Sequence, residues 1–310
     1  MPPRSVSTTV VALALLVPLG CGNDGGSEGT AAAGGGVAVV TSFYPLQYVV
    51  DRVGGDRVAV TNLTPPGAEP HDLELTPQDL ARLTDADLVV YLAGFSPAVD
   101  DAVAAEAGDR AFEVGQFADL NLTLTPSEEG AFAGGDKGVD PHFWLDPTRL
   151  ADVADQVAQR LGQDDPDGAQ GFSANAAALR RDLEALDGEL AAGLKDCENR
   201  SIVTSHNAFG YLADRFGMTQ VGITGLTPDE EPTPADLAAV TRFVKDHDVK
   251  TIYYETLVSP AVAKTVAAET GAASAVLDPI EGLSDASDGS DYLSVMRANL
   301  ASLQAGQPCG

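Results

Sequence analysis

Four histidines occur in the 310-residue chain, and three of them occupy similar places. His71 sits in a Pro- and Gly-rich loop, PPGAEPHDLELTP, between a β-rich run and a helical pattern. His142 lies in DPHFWLDP, and His206, in IVTSHNAFGYL, directly follows an expected strand and opens an expected helix. Two carboxylates share this placement: Asp278 in AVLDPIEGL ends the last expected strand, and Glu255 in IYYETLVSP ends the one before it. Three imidazoles with one carboxylate, from either Asp278 or Glu255, make a tetrahedral Zn2+ set. Such donors suit Zn2+ well, Mn2+ less well, and Ca2+ or Mg2+ poorly. A lone histidine is more often a surface or packing residue. His247, in VKDHDVK, fits that description, at a helix C-terminus where positive charge is welcome. The other three stand out by shared position in a His-poor chain, since no two of them are close in sequence. In DPHFWLDP the two prolines fix the loop, while Phe143 and Trp144 either wall a site off from water or serve as ordinary core.

These residues need a frame that brings distant loops together. Runs at 36–46, 57–63, 86–94 and 110–116 read as strands, with helical patterns at 45–55, 76–86 and 96–108 between them. Thr76 is placed to cap the second of these helices. After a polar, Gly-rich break at 120–140, helical patterns cover 148–163 and about 173–195. The second has Leu179, Leu183, Leu186, Leu190 and Leu194 at helical spacing and no proline. It predicts a helix of roughly 23 residues, about 35 Å long, placed where a connector between two lobes would run. The rhythm then restarts. Strands at 200–205, 219–224, 249–255 and 273–279 alternate with helices at 206–217, 233–248, 259–271 and 290–306. Strands alternating with helices indicate parallel α/β architecture, with ligands gathered beyond the carboxyl ends of the strands.

A net charge of −28 argues against a nucleic-acid partner, which would repel such a surface. Residues 1–21 read as a lipoprotein-type signal peptide ending at Cys21, which would be lipidated, although Pro18 stands where such signals usually carry Leu. The apolar run 10–20 is too short to span a bilayer. Residues 22–36 read as a flexible linker. The folded part is then expected outside the cytoplasm. There the remaining two cysteines, Cys197 and Cys309, are expected to pair, tying the C-terminus back to the start of the second half.

Several stretches together resemble the zinc/manganese substrate-binding lipoproteins of bacterial ABC importers. They are TSFYPLQYVVDRVGGD (41–56), PPGAEPHDLELTPQDLARLTDADLVVYLAG (65–94), DPHFWLDP (140–147), IVTSHNAFGYLADRFGM (202–218), EEPTPADL (230–237), YYETLVSP (253–260) and LDPIEGL (277–283), in family order. The resemblance implies two α/β lobes, each with a central, mostly parallel sheet flanked by helices. It implies one long backbone helix joining them and a metal site in the inter-lobe cleft. On this reading 37–165 is the N-terminal lobe, 166–198 the connecting helix and 199–310 the C-terminal lobe. His71, His142, His206 and Asp278 match the family's metal ligands, and Glu255 matches an acidic position that would orient a ligand through hydrogen bonds. The function implied is capture of Zn2+ and delivery to an ABC permease and its ATPase, without catalysis. The chain would be a monomer, held by its lipid at the outer face of the cytoplasmic membrane. Binding of Mn2+ or Fe2+ is the nearest alternative, and His206, where manganese members tend to have Glu, favours Zn2+. An extracellular zinc hydrolase is more distant, since the chain has no HExxH. Many zinc members carry a His-rich loop before the second ligand. Here 120–139 has no histidine, only Glu128, Glu129 and Asp136, with Asp119 at its edge.

Overall fold

The structure is a computed structural model that describes residues 36–123, 138–228 and 230–309. The leader, Cys21, the linker up to residue 35, and Glu128, Glu129 and Asp136 lie outside the described residues. Two four-stranded sheets dominate. The first contains β1 (Val37–Thr41), β2 (Val58–Asn62), β3 (Leu88–Tyr91) and β4 (Ala111–Glu113) in the order β2-β1-β3-β4. The second contains β5 (Ser201–Thr204), β6 (Thr219–Gly222), β7 (Thr251–Tyr254) and β8 (Ala273–Val276) in the order β6-β5-β7-β8. Every pairing within them is parallel. Parallel sheets need both faces covered, and the sequence supplies nine helices among the described residues to do it.

In the first half these are α1 (Tyr44–Gly54), α2 (Pro77–Asp85) and α3 (Pro97–Glu106), followed by α4 (Pro147–Asp164). The second half has α6 (Gly210–Phe216), α7 (Pro234–Asp246), α8 (Ala261–Thr270) and α9 (Tyr292–Gly306). Thr76 caps α2 and Thr233 caps α7, each with an aspartate three residues on that closes a reciprocal capping box. Between the halves runs α5 (Ala169–Leu194), 26 residues long, or about 39 Å at 1.5 Å per residue. It begins four residues before the expected start, and it buries Phe172 and Ala176 in the same stripe as the leucines.

The core explains how the halves are joined. Outer clusters lie on one face of each sheet: Val40, Leu83, Val89 and Val103 in the first half, and Val203, Val240, Ile252 and Val266 in the second. The inner faces share one continuous cluster. It runs from Val39, Leu46 and Val90 through Leu179, Leu183 and Leu190 of α5 to Ile202, Leu212, Leu277 and Met296. α5 packs against α1 and α4 on one side and α9 on the other. Cys197, just past α5, is disulfide-bonded to Cys309 across 112 positions of sequence. A shared core of this kind leaves room for small tilts, because parting the halves would expose apolar surface.

Candidate metal centre

The loops beyond the strand ends meet between the two sheets. His71 comes from the connection between β2 and α2. His142 comes from the stretch between β4 and α4, at the foot of a single 3-10 turn, Phe143–Leu145. His206 follows β5, and Glu281 follows β8. One ligand atom from each of these four residues lies within 4.8 Å of all the others, and all four residues are buried. Glu281 Oε1 is 3.3 Å from His71 Nε2 and 3.2 Å from both His142 Nε2 and His206 Nε2, and the last two nitrogens are 3.4 Å apart. Four donors bonded tetrahedrally to Zn2+ at about 2.0–2.1 Å stand about 3.3–3.4 Å from one another. Four of the six distances within this cluster, the three to Glu281 and the one between His142 and His206, lie at 3.2–3.4 Å, close to that length.

Local chemistry sets which nitrogen faces inward. Asp140 Oδ1 accepts from both the backbone N–H and the ring Nδ1 of His142, at 2.9 and 2.8 Å. Glu255 Oε1 does the same for His206, at 3.2 and 2.7 Å. A carboxylate only accepts, so each Nδ1 carries the proton and each Nε2 presents a lone pair to the centre. Two such lone pairs and a carboxylate oxygen converging in a buried space repel one another unless a cation or a proton sits between them. His71 has no carboxylate behind Nδ1 among the described residues. Its ring packs 4.3 Å from that of Phe95, and its backbone N–H donates to Glu69 Oε1 at 2.8 Å.

The supporting contacts are built into the same loops. Asp140 fits because Gly210 has no side chain, since a Cβ there would lie 2.3 Å from Asp140 Oδ2. Asp146, at the other end of DPHFWLDP, caps α4 through Thr148 N–H. Trp144 is fully buried against Phe43, Phe95 and the His142 ring, and its indole N–H donates to Pro279 O at 2.7 Å. Thr204 and Gln220 both donate to His206 O. These bonds hold 205–207 as a loop, so α6 begins only at Gly210 and His206 does not open a helix as its sequence position suggested.

Electrostatics follow this arrangement. Burial disfavours protonation of His206, but the charges of Glu255 and Glu281 outweigh it and hold the imidazole well above its usual pKa. Burial acts on His142 too, and its hydrogen bonds to Asp140 and Glu281 raise it in the same way. His71 goes down, because burial exceeds what Glu281 offers it. Burial would lift Glu281, yet the surrounding imidazoles reverse this and hold its carboxyl well below the usual range. Glu69 is pushed up to about 9 by burial and by the charge of Glu281. The centre thus keeps Glu281 anionic and leaves its neighbour Glu69 neutral. On the solvent side a cleft of about 440 Å³ is lined by His71, Asp72, Phe95, Val139, Pro141 and Leu226, so His71 is the one member of the cluster that borders it.

Asp278 is not in this cluster. It was expected as the fourth ligand from its place at a strand end. The structure ends β8 at Val276 and puts Glu281 among the imidazoles instead. Both Asp278 carboxylate oxygens are engaged elsewhere, by Ile280 N–H, Thr256 Oγ1–H and Ser287 Oγ–H. Glu281 stood in LDPIEGL, three residues past Asp278, and the acidic character of that stretch was its only signal.

Comparison with known proteins supplies the family. Residues 39–306 match the family described as zinc-uptake complex component A, periplasmic (ZnuA). The chain belongs to this family. It is 34% identical over 303 residues to the high-affinity zinc uptake system protein ZnuA of Bacillus subtilis, an alignment covering 95% of each protein. It is 35% identical over 311 residues to the zinc-binding lipoprotein AdcA of Streptococcus pneumoniae, covering 97% of this chain but only 60% of that longer protein. The crystal structure of the Zn(II)-bound ZnuA-like domain of that AdcA superposes with a TM-score of 0.72 at 35% identity, over 88% of this chain and 99% of the domain. The ZnuA-family assignment and the two-lobed α/β fold therefore agree, and a buried three-histidine, one-glutamate centre lies between the lobes.

Proposed function

We propose that the chain is the extracytoplasmic zinc-capturing component of an ABC importer. It binds one Zn2+ through His71, His142, His206 and Glu281 and hands the ion to a membrane permease powered by its ATPase. The observation that carries this reading is the convergence of four buried donor atoms within 4.8 Å of one another, with the carboxylate oxygen 3.2–3.3 Å from all three imidazole nitrogens. Zinc is cargo here. Four protein donors fill a tetrahedral sphere and leave no open position of the kind a hydrolytic zinc keeps for water, which supports a role without catalysis. Ligands from both halves make coordination sensitive to small tilts, because a shift of an ångström spoils Zn–N bonds of about 2.0–2.1 Å. The chain acts as a monomer, tethered by a lipid on Cys21 at the outer face of the cytoplasmic membrane, with 22–36 as the tether. The leader pattern and the lipoprotein relative support that part. Isothermal titration of the metal-stripped chain tests the reading. The expected result is one tightly bound Zn2+ per chain and weaker Mn2+, with no zinc-dependent hydrolysis of esters or peptides. Indifference to metal, or hydrolysis, overturns it.

A further inference from the structure

Asp278 is 2% exposed and sits three residues from a proposed ligand, yet it stands outside the donor cluster. What it does touch is a strained turn. Ile280 has φ of 58°, the left-handed region, which β-branched residues avoid because Cβ crowds the neighbouring carbonyl. Such a conformation persists only where its surroundings over-determine it. Here they do. Asp278 Oδ1 accepts from Ile280 N–H at 2.8 Å, closing the turn. Asn299 clamps the Asp278 backbone at both ends, accepting from its N–H at 2.8 Å and donating to its carbonyl at 2.6 Å. Thr256 and Ser287 hold the other carboxylate oxygen at 3.0 and 2.9 Å. Trp144, from the loop that carries His142, pins Pro279 O at 2.7 Å. The Ile280 side chain is fully buried. With 280 in an ordinary right-handed or extended conformation, the chain would leave the turn in another direction and take Glu281 with it.

We propose that Asp278 is a positioning residue of the zinc site: by holding Ile280 left-handed it sets where the Glu281 carboxylate stands, without touching the ion. The inference rests on the zinc reading above. Its function is an Asx-type hydrogen bond, which Asn can reproduce and Glu, one methylene longer, cannot.

The test is a double-mutant cycle on the full chain, with zinc affinity measured by chelator competition and coordination read from the visible spectrum of bound Co2+. Asp278→Ala is expected to weaken zinc about 10–100-fold, the range for groups that support metal ligands. Its Co2+ spectrum is expected to match that of Glu281→Ala. In the Glu281→Ala background, removing Asp278 should change affinity by less than about threefold, since coupled residues are not additive. Asp278→Asn should stay close to wild type, whereas Asp278→Glu should resemble Asp278→Ala. The proposal is overturned if the two alanine losses multiply in full while the Asp278→Ala spectrum stays like wild type. It is equally overturned if affinity follows the charge, with Glu tolerated and Asn not. Should Asp278→Ala fail to fold, the Asn and Glu pair decides. A wild-type chain that binds no zinc overturns the zinc reading itself, and that result is visible before any variant is compared.

Discussion

The two sheets share one strand order, yet they supply ligands from different places. In each sheet the crevice of an open parallel α/β sheet lies where the order reverses, between β1 and β3 in the first and between β5 and β7 in the second. The second sheet uses that crevice for one donor and its brace: His206 follows β5 and its hydrogen-bond partner Glu255 follows β7, while Glu281 follows the edge strand β8. The first sheet fills the equivalent crevice with Phe43 and Phe95, which pack at a tilt against each other and edge-on against Trp144. Its donors come from outside, after β2 and after β4. Topology decides that loops reach the cleft, and side chains decide whether a given loop becomes donor or wall. The consequence is an uneven site. His142 and His206 each have a carboxylate fixing the ring, whereas His71 leans on Phe95 and borders the open cleft.

Replacing the histidines one at a time should expose this unevenness most strongly. His206→Ala removes a zinc donor and also strands Glu255, 4% exposed, without the ring that it holds. Breaking a buried pair by removing one partner costs about 3–5 kcal/mol. That variant is expected to lose tight zinc binding and also to melt well below wild type in the metal-free form. His71→Ala should lose zinc binding with a smaller change in metal-free melting, because no carboxylate among the described residues braces its Nδ1 and the one it faces, Glu281, keeps His142 and His206 as partners. Parallel calorimetry and thermal melts check both. Equal destabilisation by the two substitutions would remove the distinction between a braced and an unbraced ligand.

The braces themselves should have the next largest effect. Glu255→Gln and Asp140→Asn leave every proposed donor in place but weaken the hold on Nδ1, and each is expected to cost about 10–100-fold in zinc affinity. Glu255 reaches His206 from a neighbouring strand, while Asp140 belongs to the same loop as His142 and is packed against Gly210 of the other half. Substituting Gly210→Ala should therefore reproduce much of the Asp140→Asn loss without altering either residue of the pair. Competition titrations with a chelator of known affinity measure all three.

How far the sequence could be read depended on the range of the interaction involved. Thr76 was legible as a cap because a capping box is complete within four residues. The strands, the long leucine-striped helix and the Cys197–Cys309 pair were legible from period and compartment. The three histidines were legible as a set from their loop positions. Glu281 was not, because its direction depends on a left-handed Ile280, which no local rule assigns to a β-branched residue. Asp140 was overlooked because DPHFWLDP reads first as proline-stiffened packing. Its role needs the folded turn that brings Oδ1 to the ring two residues on. The helix expected from His206 onward starts late because Thr204 and Gln220, the latter from β6, compete for its first carbonyl.

The smallest effect, and the one that separates the two kinds of histidine most cleanly, is in pH. His142 and His206 are held above the ordinary imidazole value of about 6.5, and His71 below it. In the metal-free chain the first two therefore hold a proton to higher pH than a free imidazole would, a proton that zinc must displace, while His71 gives its proton up at lower pH. Zinc affinity should go on rising with pH more than about a unit above 6.5, where a site of unperturbed imidazoles would level off. A brace then has two opposed effects. It orients the ring for the metal, and it stabilises the competing proton. The penalty for Asp140→Asn should be largest at high pH, where no proton competes, and should shrink as pH falls, because the variant's His142 gives up its proton more readily. Calorimetry in buffers of different ionisation enthalpy counts the protons released. Fewer should be released at pH 7 by Asp140→Asn than by wild type, and an unchanged count would mean that the carboxylate orients His142 without tuning it.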